Sequence, residues 1–152
     1  MTLQEAIAKY GEIKDGKWLK ETWFMHVIAI PEAIAATWIN SIGGQPQRHI
    51  YCNQDMAPAL LKALQNVLDR GLVSELKTYD GCFQIRPQRG TVNVPSVHSF
   101  GMAIDICAKD NVLGCEPTMS PELVACFTDA GFTWGGTFHR KDGMHFQYDC
   151  NW

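Results

Sequence analysis

Ser96-Val97-His98-Ser99-Phe100-Gly101-Met102-Ala103-Ile104-Asp105 is the stretch on which the reading of this chain turns, and Asp142-Gly143-Met144-His145-Phe146 answers it forty residues after Asp105. Met102, Ile104 and Ile106 alternate with Ala103 and Asp105, the period of a strand with one apolar and one polar face. Met144, Phe146 and Tyr148 alternate in the same way with His145 and Gln147. Each segment therefore predicts a strand whose apolar face belongs to a core and whose polar face belongs to a site. A carboxylate inside an apolar strand is costly to bury alone, so Asp105 needs a cation or several hydrogen-bond donors. His98, Asp105 and His145 together make the ligand set a catalytic zinc ion favours, three protein donors with a fourth position left for water. Asp142, three residues before His145, is the candidate base for that water.

Outward from these strands the chain reads as alternating helices and short strands. Thr2 to Tyr10 predicts a short helix that stops at Gly11, and Trp18 to Ile30 has strand-like aromatic and branched content. Pro31 suits the first turn of a helix spanning Pro31 to Ile42, closed by Gly43-Gly44. His49 to Cys52 predicts a short strand. Leu60, Leu61, Leu64, Val67 and Leu68 recur at helical spacing within Ala57 to Asp69, and Gly71 ends that helix. Leu76 to Tyr79 and Cys82 to Ile85 read either as two strands around an Asp80-Gly81 turn or as one strand broken by a bulge. A loop, Pro87 to Pro95, leads to His98. Ser120 caps a helix with Pro121 at its first position and Gly131 beyond its end.

A length of 152 residues suits one domain, residues 1–152, with roughly the first fifty forming a layer of the same unit. Hydrophobic content of 46% and charged content of 19% leave little room for disorder. The net charge of -3 gives no basic footprint for nucleic acid, and Lys14, Lys17 and Lys20 are interleaved with Glu12, Asp15 and Glu21. The charged residues of the N-terminal segment leave no apolar stretch for a signal peptide, so synthesis in the cytoplasm is expected. The apolar run from Trp23 to Ile39 contains His26, Pro31 and Glu32 and predicts no membrane insertion. Cys52, Cys82, Cys107, Cys115, Cys126 and Cys150 include no CxxC pair, and most are expected to be free, buried thiols.

Ser96-x-His98-x-x-Gly101-x-Ala103-x-Asp105 resembles, at every fixed position, the SxHxxGxAxD motif of the M15 zinc peptidases. Gly131-Phe132-Thr133-Trp134-Gly135-Gly136 followed by Asp142-x-x-His145-Phe146 resembles the endopeptidase and small phage branches of that family. Asp80-Gly81-Cys82-Phe83-Gln84-Ile85-Arg86 is similar to the segment that delivers the family's arginine, and the resemblance runs from about Asp80 to Tyr148. It implies an α+β fold of the hedgehog and DD-peptidase type, a small antiparallel sheet carrying the site with helices on the opposite face. It also implies one zinc ion per chain on His98, Asp105 and His145, with Asp142 as general base. Arg86 is the candidate for stabilising the oxyanion, with Arg89 as the rival in the same loop. Ser96 and Trp134 are candidate substrate-binding residues. His139 is expected at the cleft wall or surface, and His26 and His49 are expected to be structural or exposed. Gln147 stands where relatives often carry glutamate.

The implied activity is hydrolysis of a peptide bond in the peptidoglycan stem peptide by a monomeric enzyme. The L-alanyl-D-glutamate endopeptidase activity of phage endolysins is the first expectation, and D-alanyl-D-alanine carboxypeptidase activity is the second. Release to the cell wall during phage lysis is the expected setting. A non-catalytic module in which zinc serves folding or partner binding is the contrasting class, and Asp142 and Arg86 argue against it.

Overall fold

The computed structural model describes residues 1–18 and 21–152; Leu19 and Lys20, which fall in the expected Trp18–Ile30 strand, lie outside the described residues. In chain order the elements are α1 (Leu3–Tyr10), β1 (Ile13–Lys14), β2 (Lys17–Trp18), β3 (Met25–Ala29), α2 (Glu32–Ala35), β4 (Ile39–Asn40), β5 (His49–Asn53), α3 (Ala57–Asp69), β6 (Thr78–Gly81), β7 (Ala103–Ile106), α4 (Pro121–Thr128), β8 (Phe132–Trp134) and β9 (His145–Tyr148). The architecture is α+β. Strands β4-β6-β7-β9-β8 form the main sheet in that order, antiparallel except for the parallel β4–β6 edge. Strands β3 and β5 form a separate antiparallel ribbon.

Local chemistry explains the helices that match expectation. Thr2 and Glu5 form a reciprocal capping box at the start of α1, which satisfies two otherwise orphaned donors. The Ser120 hydroxyl accepts the Leu123 N–H at the start of α4, and Pro121 occupies its first turn. Helix α3 buries Leu60, Leu64 and Val67 on its core side, as their spacing predicts. The Asn66 amide donates to the Cys126 carbonyl at 2.9 Å and fixes α3 against α4. Phe127 of α4 packs against Phe146 of β9 with ring centroids 4.6 Å apart, so the helix covers the apolar face of the strand that carries His145.

Three expectations are corrected. The helix from Pro31 to Ile42 ends at Ala35: Trp38 is fully buried, Ile39 pairs with Thr78, and the Asn40 side chain accepts the Ile42 N–H. Tertiary pairing here outweighs the helical start signal. The stretch Trp18–Ile30 is not one strand, because a turn at Trp23-Phe24 separates β2 from β3. Asp80-Gly81 is not a hairpin turn. It lies at the end of β6, where a register shift between Tyr79 and Gly81 marks the bulge. Cys82 to Ile85 consequently leaves the sheet, and the Gln84 N–H bonds the His98 carbonyl.

All six cysteines are free thiols, five of them buried. The core is continuous from Ala6 and Tyr10 of α1 through α3 to Phe146, and burial of apolar surface of this kind contributes about 25 cal/mol per Å². Among the described residues, no helix is long and apolar enough to cross a membrane.

Candidate metal centre and its cleft

His98 is carried by a single 3-10 turn, Val97–Phe100, held from three sides. Ser96 caps it, its hydroxyl accepting the His98 N–H at 3.3 Å. Gly101 closes it with φ +64, and a Cβ there would lie 2.9 Å from the Asn53 backbone nitrogen, so only glycine suits the position. Asn53, fully buried at the end of β5, donates its amide to the Phe100 carbonyl at 3.0 Å and its N–H to the Gly101 carbonyl at 3.0 Å. The N-terminal layer therefore anchors the turn that bears the first candidate ligand.

The other two candidate ligands arrive by strand register. Asp105 of β7 and His145 of β9 are direct partners in the antiparallel ladder, and Ala103 opposite Gln147 shares their face. His98 Nε2 lies 3.1 Å from His145 Nδ1 and 3.2 Å from Asp105 Oδ1, and His145 Nδ1 lies 3.1 Å from the same oxygen. His98 and His145 are 3% and 8% exposed. This is the one three-residue cluster of potential metal ligands among the described residues.

The triangle fits zinc. Tetrahedral zinc with bonds of about 2.0–2.2 Å places its ligand atoms about 3.3–3.6 Å apart, close to the separations seen. The His98 ring has its Nδ1 2.7 Å from the Cys82 carbonyl, an acceptor only, so Nδ1 carries the proton and Nε2 turns a lone pair into the triangle. His145 Nε2 is likewise engaged outside the triangle, 3.0 Å from Gln147 Oε1. Three acceptor atoms thus converge on one point, an arrangement a cation satisfies.

Electrostatics agree with that geometry. Burial alone would raise the Asp105 carboxyl, but the two imidazoles hold it far below the carboxylate range. Burial would lower His145, yet the bond and charge of Asp105 outweigh it and leave His145 raised. Asp142 differs: burial pushes its carboxyl up, only partly opposed by His145 and, more weakly, by the charge of Arg89. Its Oδ1 is buried with no hydrogen-bond partner among the described residues.

Asp142 sits in a cleft of about 600 Å³ shared with His98 and His145. Arg86 and Arg89 also line it. The half-buried Arg86 donates its guanidinium to the Pro87 carbonyl at 3.2 Å, and Arg89 is exposed. His139 lies on the cleft wall but outside the ligand cluster. Ser96 lines the cleft while its hydroxyl serves the His98 turn. Trp134 is not among the lining residues: its indole donates to the Gly143 carbonyl at 2.9 Å and its ring stacks beside Phe146. Gly135 passes so close to Asp142 that a Cβ would lie 2.5 Å from the Asp142 carbonyl oxygen. The Trp134-Gly135 pair therefore braces the loop that presents Asp142. His26 and His49 are exposed on the β3–β5 ribbon.

Asn53 and the Cys82 carbonyl were not foreseen as parts of the site, whereas Gln147 was expected on the polar face it shares with His145. Gln147 shares strand parity with His145, a readable signal; Asn53 meets the His98 turn across 47 residues, and no local pattern announces that contact.

Residues 89–148 match the model of a peptidase M15 family described as D-alanyl-D-alanine carboxypeptidase, and the matched segment takes in all three cluster residues and Asp142. No curated protein and no solved structure gives a significant match.

Proposed function

From the match of residues 89–148 to the M15 family model, we propose that this chain is a zinc-dependent peptidase that cleaves the stem peptide of bacterial peptidoglycan at the L-alanyl-D-glutamate bond. The observation that carries this reading is the triangle of His98, Asp105 and His145 beside a buried Asp142 oxygen that has no hydrogen-bond partner among the described residues. A zinc ion used only for folding has no need of a half-buried carboxylate with an unpartnered oxygen beside it, which disfavours the non-catalytic class.

His98, Asp105 and His145 would hold the ion, which when bound supplies the Lewis acidity that activates water at neutral pH. Asp142 takes a proton from the attacking water and returns it to the leaving amine. Arg89 counters the effect of burial on Asp142 and favours its ionised, basic form. Arg86 is assigned to the carbonyl oxygen as it gains charge, where a fixed cation is worth more than in water. Ser96 holds the His98 turn, and Trp134 with Gly135 fixes the Asp142 loop. The chain is proposed to work as a single-domain monomer, released to the wall in phage lysis.

The description of the matched family favours a second bond, the terminal D-alanyl-D-alanine linkage. Digestion of purified peptidoglycan by zinc-loaded protein, with released ends identified by mass spectrometry, separates the two. New D-glutamyl amino termini support the endopeptidase, free D-alanine supports the carboxypeptidase, and intact stem peptides contradict both.

A further inference from the structure

We infer that Gln147 is the positioning residue that makes His145 a metal ligand, by holding the ring proton on Nε2 and leaving Nδ1 bare. The inference rests on the zinc reading above. A neutral imidazole has one N–H and either nitrogen can carry it. At His145 both sides compete: Asp105 Oδ1 and His98 Nε2 each lie 3.1 Å from Nδ1, and Gln147 Oε1 lies 3.0 Å from Nε2. A proton drawn to Nδ1 by Asp105 would occupy the very lone pair the ion needs.

The outcome depends on which end of the Gln147 amide faces the ring, and the fold decides it. Gln147 is 5% exposed, so the two ends of its amide are engaged chiefly by protein partners. Its amide nitrogen lies 2.7 Å from the Cys150 carbonyl, which can only accept. The nitrogen must therefore face Cys150, and the oxygen falls to His145. Reversing the amide would set two acceptors against each other at Cys150 and turn an N–H toward His145 Nε2. That N–H would force the ring proton onto Nδ1 and close the metal position.

The two histidines thus receive the same instruction from different sources. At His98 a backbone carbonyl, that of Cys82, fixes the proton and no substitution removes it. At His145 the device is a side chain, so it can be tested. Losing an outer partner of a ligating histidine typically weakens metal binding about 10- to 100-fold.

Gln147→Met keeps length and apolar bulk but removes the acceptor, and Gln147→Glu keeps the acceptor toward His145 with its second oxygen protonated, so that it donates to the Cys150 carbonyl as the amide did. For parent and both variants, zinc affinity is measured by competition with a chelator, and the ring-nitrogen NMR spectrum of His145 is recorded without metal at mildly alkaline pH. The parent is expected to show the Nε2–H form. Gln147→Met should populate Nδ1–H and bind zinc about 10- to 100-fold more weakly, and Gln147→Glu should recover the Nε2–H form and most of the affinity. A parent that shows Nδ1–H overturns the inference whether or not the variants fold. A parent that takes up zinc and a Gln147→Met variant that matches it overturn this inference alone, whereas a parent that takes up no zinc overturns the zinc reading with it.

Discussion

In the β3–β5 ribbon His26 sits opposite Cys52 and His49 opposite Ala29, whereas in the β7–β9 pair His145 sits opposite Asp105. Both pairs are antiparallel and both carry imidazoles. The ribbon leaves His26 and His49 exposed, beside Val27 and Tyr51 at 65% and 41% exposure. The β7–β9 face is closed over by the Val97–Phe100 turn, which adds a second imidazole within 3.2 Å of the carboxylate. Residue type alone does not make a ligand. A carboxylate in register, a second donor brought by a rigid turn and exclusion of water do.

The sharpest way to break this contrast is to remove one member of the triangle. His145→Ala is expected to lose zinc and hydrolysis together, because two remaining donors hold the ion poorly; metal analysis beside a turnover assay reads both. Asp142→Ala should keep its zinc and lose about 10²- to 10⁴-fold in rate, the usual effect of deleting a general base. Retention of full turnover would remove Asp142 from the mechanism. Arg86→Ala should lower kcat by about 10²- to 10³-fold with little change in KM if its charge acts on the developing oxyanion.

A smaller effect runs in the opposite direction. Burial raises the Asp142 carboxyl, so the fold disfavours its ionised form. That penalty is present above the raised folded value and disappears as pH falls below the ordinary carboxyl value. Asp142→Asn should therefore melt at a higher temperature than the parent at neutral pH, with the gain fading in acid; an unchanged or lowered midpoint at neutral pH would contradict the desolvation argument. At the bottom of the scale, His26→Ala and His49→Ala should leave zinc content and turnover at parental values. A loss of zinc in either would erase the distinction between the two strand pairs.

The site was more legible in the sequence than the layer around it. Alternation in Met102–Ile106 and Met144–Tyr148 placed Asp105 and His145 on polar faces, and the register made them partners. Helices α1, α3 and α4 were legible because caps and periodicity act within a few residues. The segment after Pro31 misled because its end is set by distant partners: Ile39 needs Thr78, and the ring of Trp38 packs against Tyr79 at 5.5 Å. Asp80-Gly81 misled for a similar reason, since the Asp80 carboxylate accepts the Ala108 N–H at 2.9 Å and stays in the sheet. Asn53 was invisible because its function is to join two segments far apart in the chain.

The central claim is that His98, Asp105 and His145 hold the ion on which hydrolysis depends. Zinc titration into chelator-stripped protein, followed by cleavage of purified peptidoglycan at each addition, tests it most directly. Turnover is expected to be absent at the start and to rise to a plateau at one bound zinc per chain. Stripped protein that is already fully active would contradict the account.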